Sequence, residues 1–200
     1  MKDTFLSEVL ATRLSHDLIG NIGAVSNAVE LLNEGDDDDK EDISNILNFS
    51  SKVLTKRLKF FRLCFGLSNA TVKSMDELRD ITKGYLETLG NPNYPISLVL
   101  NIENFNIHKL IMPSVMMMAD TLIKGGEIKV IQTETSLVIE SVSSFNLDNS
   151  KLKNISNILN GNDVEDNNPS CYAPLFYLLA YLKGSGVNVN LKENKLIIGD

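Results

Sequence analysis

The histidine with the clearest chemical capacity is His16, which stands in Leu14-Ser15-His16-Asp17-Leu18-Ile19-Gly20-Asn21-Ile22-Gly23. At about 100° per residue, Ala11, Leu14, Leu18, Ile22, Val25, Val29 and Leu32 fall within about 40° of one direction and mark the expected buried stripe of a helix. His16 points about 160° away from that stripe, so its imidazole is expected to face solvent. Gly20, Gly23 and Asn27, at i+4, i+7 and i+11, lie within about 40° of the same outward direction. The surface beside the ring is therefore nearly bare. Each mid-helix glycine costs about 1 kcal/mol relative to alanine, and two on one face point to a close approach by another body, a packing contact or a local break. An exposed neutral imidazole is a competent phosphoryl acceptor, because one ring nitrogen can attack while the other keeps its proton. Asp17 is placed to orient the ring or to hold that proton. The other histidine, His108, has no companion acid or thiol at ligand spacing and reads as incidental.

The elements that present His16 can be read around it. Residues 3–66 contain no proline, and their apolar residues recur at helical spacing on either side of one polar interruption, Asn33 to Lys40. This predicts a long helical hairpin. Acids at Asp39 to Asp42 suit the start of the second helix. Asp36 to Asp39 lack the alternating ligands and glycine of a calcium loop and read as a solvated turn. A turn near Asp37 brings residue 16 level with about residue 58. There Lys52, Lys56, Arg57, Lys59 and Arg62 fall within eleven residues free of acids. Lys52, Lys56 and Lys59 share a face opposite Ile43, Leu47, Leu54, Leu58, Phe61 and Phe65. Such a run is an ordinary solvated face or, at this height, a surface that steers an acidic partner.

The 200 residues carry a net charge of −7, with 43% hydrophobic and 22% charged residues, which excludes a disordered or collagenous chain. No apolar run approaches the roughly 18 to 20 residues of a membrane span, and Met1 to Leu14 lacks the core and cleavage site of a secretory signal. A cytoplasmic location is expected. The acidic balance opposes binding to nucleic acid. Cys64 and Cys171, far apart and without CxxC spacing, read as reduced core thiols.

From about residue 72 the pattern shortens. Helices are expected at Met75 to Leu89, Ile107 to Ile123 (interrupted near its start by Pro113), Leu147 to Leu159 and Ala173 to Leu182. Strands are expected at Pro95 to Ile102, Glu127 to Gln132 and Ser136 to Val142 after Gly125-Gly126, and Val187 to Lys192 and Lys195 to Ile198. Asn160 to Pro169 reads as a polar loop, and the run Met116 to Met118 as core filler. The fold class is α+β: a helical hairpin over 1–70, then an α/β layer structure over 71–200.

The segment Leu10-Ala11-Thr12-Arg13-Leu14-Ser15-His16-Asp17-Leu18-Ile19-Gly20-Asn21-Ile22-Gly23-Ala24-Val25-Ser26-Asn27-Ala28-Val29-Glu30-Leu31-Leu32 resembles the phospho-acceptor helix of the ChpT-type histidine phosphotransferases of alphaproteobacteria. Lys59-Phe60-Phe61-Arg62-Leu63-Cys64-Phe65-Gly66 and the Lys124-Gly125-Gly126 turn are similar to later parts of that family. The resemblance implies a homodimer whose two hairpins form a four-helix bundle, each followed by a degenerate α/β sandwich shaped like a kinase ATP-binding domain. It implies a phosphorelay role. His16 takes a phosphoryl group from the receiver aspartate of a hybrid histidine kinase and gives it to receiver aspartates of response regulators. Asp17 then orients the ring or acts in acid–base work, while Arg13, Gly20, Gly23, Asn27, Lys56 and Lys59 meet the receiver. The family usually has Ser-Pro where this chain has Gly20-Asn21. In related kinases the helix matching Leu110–Lys124 carries two asparagines, one a magnesium ligand; here Pro113 and Met117 stand there, and Ser143 to Asp148 lack the glycines of an adenine loop. No productive ATP binding and no metal held by this chain are expected, with magnesium supplied by the receiver. The rival readings are a dimeric receiver-binding adaptor that accepts no phosphate and an ATP-dependent histidine kinase.

Overall fold

The computed structural model describes residues 3–34, 40–67, 71–162 and 168–199. Two long antiparallel helices, α1 (Asp3–Glu34) and α2 (Lys40–Phe65), make the expected hairpin. Its acidic turn, Asp36 to Asp39, lies outside the described residues, as does the middle of the polar loop before Pro169. Glu41 and Asp42 occupy the first turn of α2 and Arg62 its last, the charge order that the helix dipole favours. Lys109 reinforces that end: its buried ammonium donates to the carbonyls of Gly66 (2.6 Å) and Cys64 (3.4 Å).

The rest of the chain runs α3 (Met75–Leu86), β1 (Ile96–Asn101), a 3₁₀ turn (Phe105–Ile107), α4 (His108–Ala119), β2 (Gly126–Gln132), β3 (Ser136–Val142), α5 (Asn149–Leu159), α6 (Ala173–Tyr181), β4 (Val189–Lys192) and β5 (Lys195–Gly199). Ser74 caps α3 by accepting from the Glu77 N–H, and Glu77 reaches back to the Lys73 N–H, so local side chains satisfy the donors that a helix start leaves free. The five strands form one sheet in the order β1-β2-β3-β5-β4. β1 and β2 are parallel, joined through α4, and the other pairs are antiparallel. This is an α+β arrangement, with helices on the sheet and the hairpin against them.

Helix α4 lies at the centre. Met112, Met116, Met117 and Met118 are fully buried, so the methionine run is core filler. The expected break at Pro113 is absent: the helix runs through it from His108 to Ala119. Proline removes one backbone donor there, but the preceding 3₁₀ turn and burial on every side hold the helix in line. One continuous apolar core joins Phe60, Phe61 and Cys64 of α2 to Tyr85 of α3 and to α4 and the sheet, and the Phe60 and Tyr85 rings stack with centroids 3.9 Å apart. Burial pushes the Cys64 thiol well above its ordinary range, which makes it a poor nucleophile. Cys171, expected in the core, is only half-buried. Among the described residues no helix is long and apolar enough to cross a membrane.

Gly125 and Gly126, read from sequence as the start of the β2–β3 hairpin, sit there with φ of 59° and 142°. A Cβ on Gly126 would stand 2.3 Å from the Val142 carbonyl oxygen, whereas one on Gly161 (φ 72°) meets nothing within 4 Å. Gly126→Ala should therefore lose about 3 kcal/mol or more and Gly161→Ala only about 1 kcal/mol. Urea denaturation of the two variants checks the ordering; equal losses would contradict the steric account.

Candidate functional site

The His16 side chain is 82% exposed, as expected from the sequence. Gly20 and Gly23 share its face, and a Cβ at either would meet nothing within 4 Å. No described residue explains the missing side chains, and Asn27 is exposed beyond them.

Asp17 lies beneath the ring. Its Oδ1 stands 3.6 Å from Nδ1 of His16, and its Oδ2 accepts from Nε of Arg13 at 2.9 Å. Arg13 is the principal correction to the sequence reading. Expected on the receiver-facing surface, it is 9% exposed and turned inward, where its guanidinium grips Asp120 with both terminal nitrogens (2.7 and 3.1 Å) and donates to the Cys171 carbonyl at 3.4 Å. Burial disfavours its charge, but Asp120 and Asp17 hold it more firmly protonated than a free arginine.

A second arginine holds the same residue from the other side. Arg57 of α2 donates through Nη1 to the Asp17 carbonyl, and through Nε and Nη2 to the Thr88 hydroxyl (3.1 Å) and carbonyl (3.0 Å), just after α3. The contact of residue 17 with residue 57 matches the height computed from a turn near Asp37. Of the basic run, Lys56 is tied to Glu87 at 2.7 Å and lines an open groove of about 400 Å³ with Lys52, Phe49 and Pro95. Lys59 lines a second groove with Arg62, Lys73, Glu77 and Asp80. Neither lysine touches His16.

The stripe on α1 also needs correction. Val9, Arg13 and Ala28 are its buried positions, a direction roughly 130° from the expected stripe, of which Leu14 and Leu18 nonetheless pack against the core. Ile22, Val29 and Leu32 are left exposed together with Ile19 (63%), and on α2 Ile46, Phe49 (67%) and Leu58 are exposed too. The structure thus brings His16, Asp17, Gly20 and Gly23 together. It adds Asp120, Arg57 and Thr88, which sequence reasoning missed; the one signal available was that Arg57 fell at the computed height. Among the described residues no three His, Cys, Asp or Glu side chains gather as a metal site. His108 is buried at the start of α4, away from this network.

A stretch of 71 residues is 35% identical to the protein phosphotransferase ChpT of Brucella abortus (strain 2308), and takes in 36% of this chain and 33% of that protein. The matched part thus spans a third of that relative's length. The chain is similar to the ChpT-type phosphotransferases. A solved bacterial phosphotransferase shares the fold, with a TM-score of 0.73 over 99% of this chain and 96% of its own at 18% identity. No protein-family model matches. The likeness read from the His16 helix is thus borne out.

Removing one partner of a buried ion pair leaves the other uncompensated. Arg13→Met, which strands Asp17 and Asp120, should lower stability by about 3 kcal/mol, read as a fall in the urea midpoint. A change of a few tenths would show that the pair contributes little.

Proposed function

We propose that the chain is a histidine phosphotransferase of a phosphorelay, with His16 as the acceptor. The observation that carries this reading is an almost fully exposed imidazole on a helix face left open by Gly20 and Gly23, with a carboxylate held under its Nδ1. The Nε2 lone pair forms the N–P bond as the P–O bond to a receiver's aspartate breaks, and that electron pair leaves with the aspartate. The Nδ1 proton stays on the ring, and the Asp17 carboxylate offsets the positive charge of the phosphorylated imidazole. Return transfer to a second receiver reverses these steps. The donor is the receiver of a hybrid histidine kinase and the acceptors are receivers of response regulators. A magnesium ion in the receiver's acidic pocket supplies charge neutralisation, and this chain supplies in-line orientation.

ATP is not the donor in this reading, since Pro113 and Met117 are packed inside α4 and offer no amide or carboxylate to a metal. The second part of the chain is then a degenerate relative of a kinase ATP-binding domain. Two copies of the hairpin pair through the exposed apolar residues of α1 and α2, which continue from one helix to the other and would form a four-helix bundle. Ile22→Glu combined with Phe49→Glu should convert a dimer to monomer by light scattering; an unchanged mass would place the interface elsewhere.

Incubation with a phosphorylated receiver should give acid-labile label on the wild-type protein and none on His16→Ala; a labelled variant would remove the mechanism, and a protein that regulates without ever being labelled would be an adaptor. Gly20→Ala separates stability from function. It should raise stability by about 1 kcal/mol, since the added methyl is unopposed within the chain, yet slow transfer by narrowing the visitor's approach. Lys59→Glu should slow transfer chiefly at low salt.

A further inference from the structure

The network under His16 does more than join two parts of the chain. Asp120 is the C-terminal cap residue of α4, where the helix dipole is negative and a carboxylate is unfavourable. Arg13 precedes Asp17 by one turn, the less favourable order for an ion pair within a helix. Helix stability therefore accounts for neither charge. What they accomplish together is geometric. With both Asp120 oxygens on its terminal nitrogens, the guanidinium plane is fixed, and its remaining edge, Nε, is aimed at Asp17 Oδ2. The other oxygen of Asp17 is thereby left toward Nδ1 of His16. Arg57 fixes the backbone carbonyl of the same residue. Asp17 is held at its carboxylate and its carbonyl by two arginines, each anchored to the second half of the chain, one through Asp120 and one through Thr88. The hydroxyl of Tyr85 is fully buried and makes no hydrogen bond among the described residues, so it does not compete for this carboxylate.

We infer that Asp120 and Arg13 are positioning residues for His16: the pair fixes the Asp17 carboxylate 3.6 Å from Nδ1, where a small turn of the exposed ring brings the Nδ1 proton into a hydrogen bond with it and leaves Nε2 free to attack. The inference rests on the phosphotransfer reading for its role in rate, but not for its effect on the ring. A free neutral imidazole can carry its proton on either nitrogen, and only the Nδ1–H form presents an Nε2 lone pair outward. The second half of the chain thus acts on His16 through Asp120, Arg13 and Asp17.

Arg13→Lys tests this. A lysine can pair with Asp120 but cannot fork to Asp17 at the same time. In ¹⁵N-histidine spectra recorded at pH about 8.5, where imidazole is neutral, the His16 signals are identified by their loss in His16→Ala. The wild type should show mainly the Nδ1–H form, and Arg13→Lys and Asp17→Asn should both shift the balance toward Nε2–H. The rate of phosphorylation within the receiver complex should fall by about tenfold or more, with an unchanged KM for the receiver and a thermal midpoint near wild type in Arg13→Lys. Asp120→Asn, which keeps the size but not the charge, should shift the tautomer in the same direction. Unchanged tautomers in both the Arg13 and Asp120 variants, with rates reduced only in proportion to lost folded protein, would make the pair a structural staple and overturn the inference. A tautomer shift in a protein that no receiver labels would sink the phosphotransfer reading and leave the positioning intact.

Discussion

A helix that presents a reactive side chain to solvent must be fixed against rotation about its own axis, and apolar packing alone does this poorly. A stripe of aliphatic side chains tolerates a turn of tens of degrees with little loss of buried area, yet the same turn would change the direction in which the His16 ring is presented. In this protein the constraint comes from the buried guanidinium of Arg13, shared between Asp17 on its own helix and Asp120 at the end of α4. Taking three charged groups out of water is expensive, and only their mutual geometry offsets it. That is also what makes them directional. A displacement that the apolar core would accept forfeits hydrogen bonds that the buried charges cannot replace with water.

The hairpin carries two apolar faces of different character. One turns toward the second half of the chain and is part of a single core with the sheet; the other, with Ile19, Ile22, Val29 and Phe49, is open. An α-helix in a lone hairpin needs one apolar stripe, whereas α1 carries apolar residues on two faces. The near absence of a preferred apolar direction on α1 follows from these two faces, and so does the mistaken placement of its buried stripe.

Much of the frame was legible in the sequence because it depends on local pattern: the proline-free hairpin, the β2–β3 ladder after its two glycines, the buried methionines, and the outward direction of His16. His16 is exposed as expected, although the stripe from which its direction was measured is not the buried one. The burial of Arg13 was not legible, because charge and helical phase say nothing about an acid 107 residues away that cancels the cost of burying it. Pro113 shows the same limit in reverse: local propensity predicts a break, and packing on all sides overrides it. Arg57 lay between these cases. Its height beside residue 17 followed from the position of the turn, while its second anchor, Thr88, belongs to a loop whose course only the tertiary fold sets.

The two glycines complete the physical logic. Together they cost helix α1 about 2 kcal/mol relative to alanine, and they sit within seven residues of His16, where loosening of the helix would most disturb the ring's orientation. The arginine contacts act on that same turn. Asp17 is pinned at its side chain and at its carbonyl, one turn before Gly20, so the backbone that the glycines loosen is held from outside the helix by groups anchored on α2, on α4 and after α3. A bare helix face and a fixed imidazole are opposing requirements for a helix on its own. They become compatible here because rigidity is imported from the second half of the chain, which is a physical reason for that half to remain attached even with Pro113 and Met117 packed into its central helix.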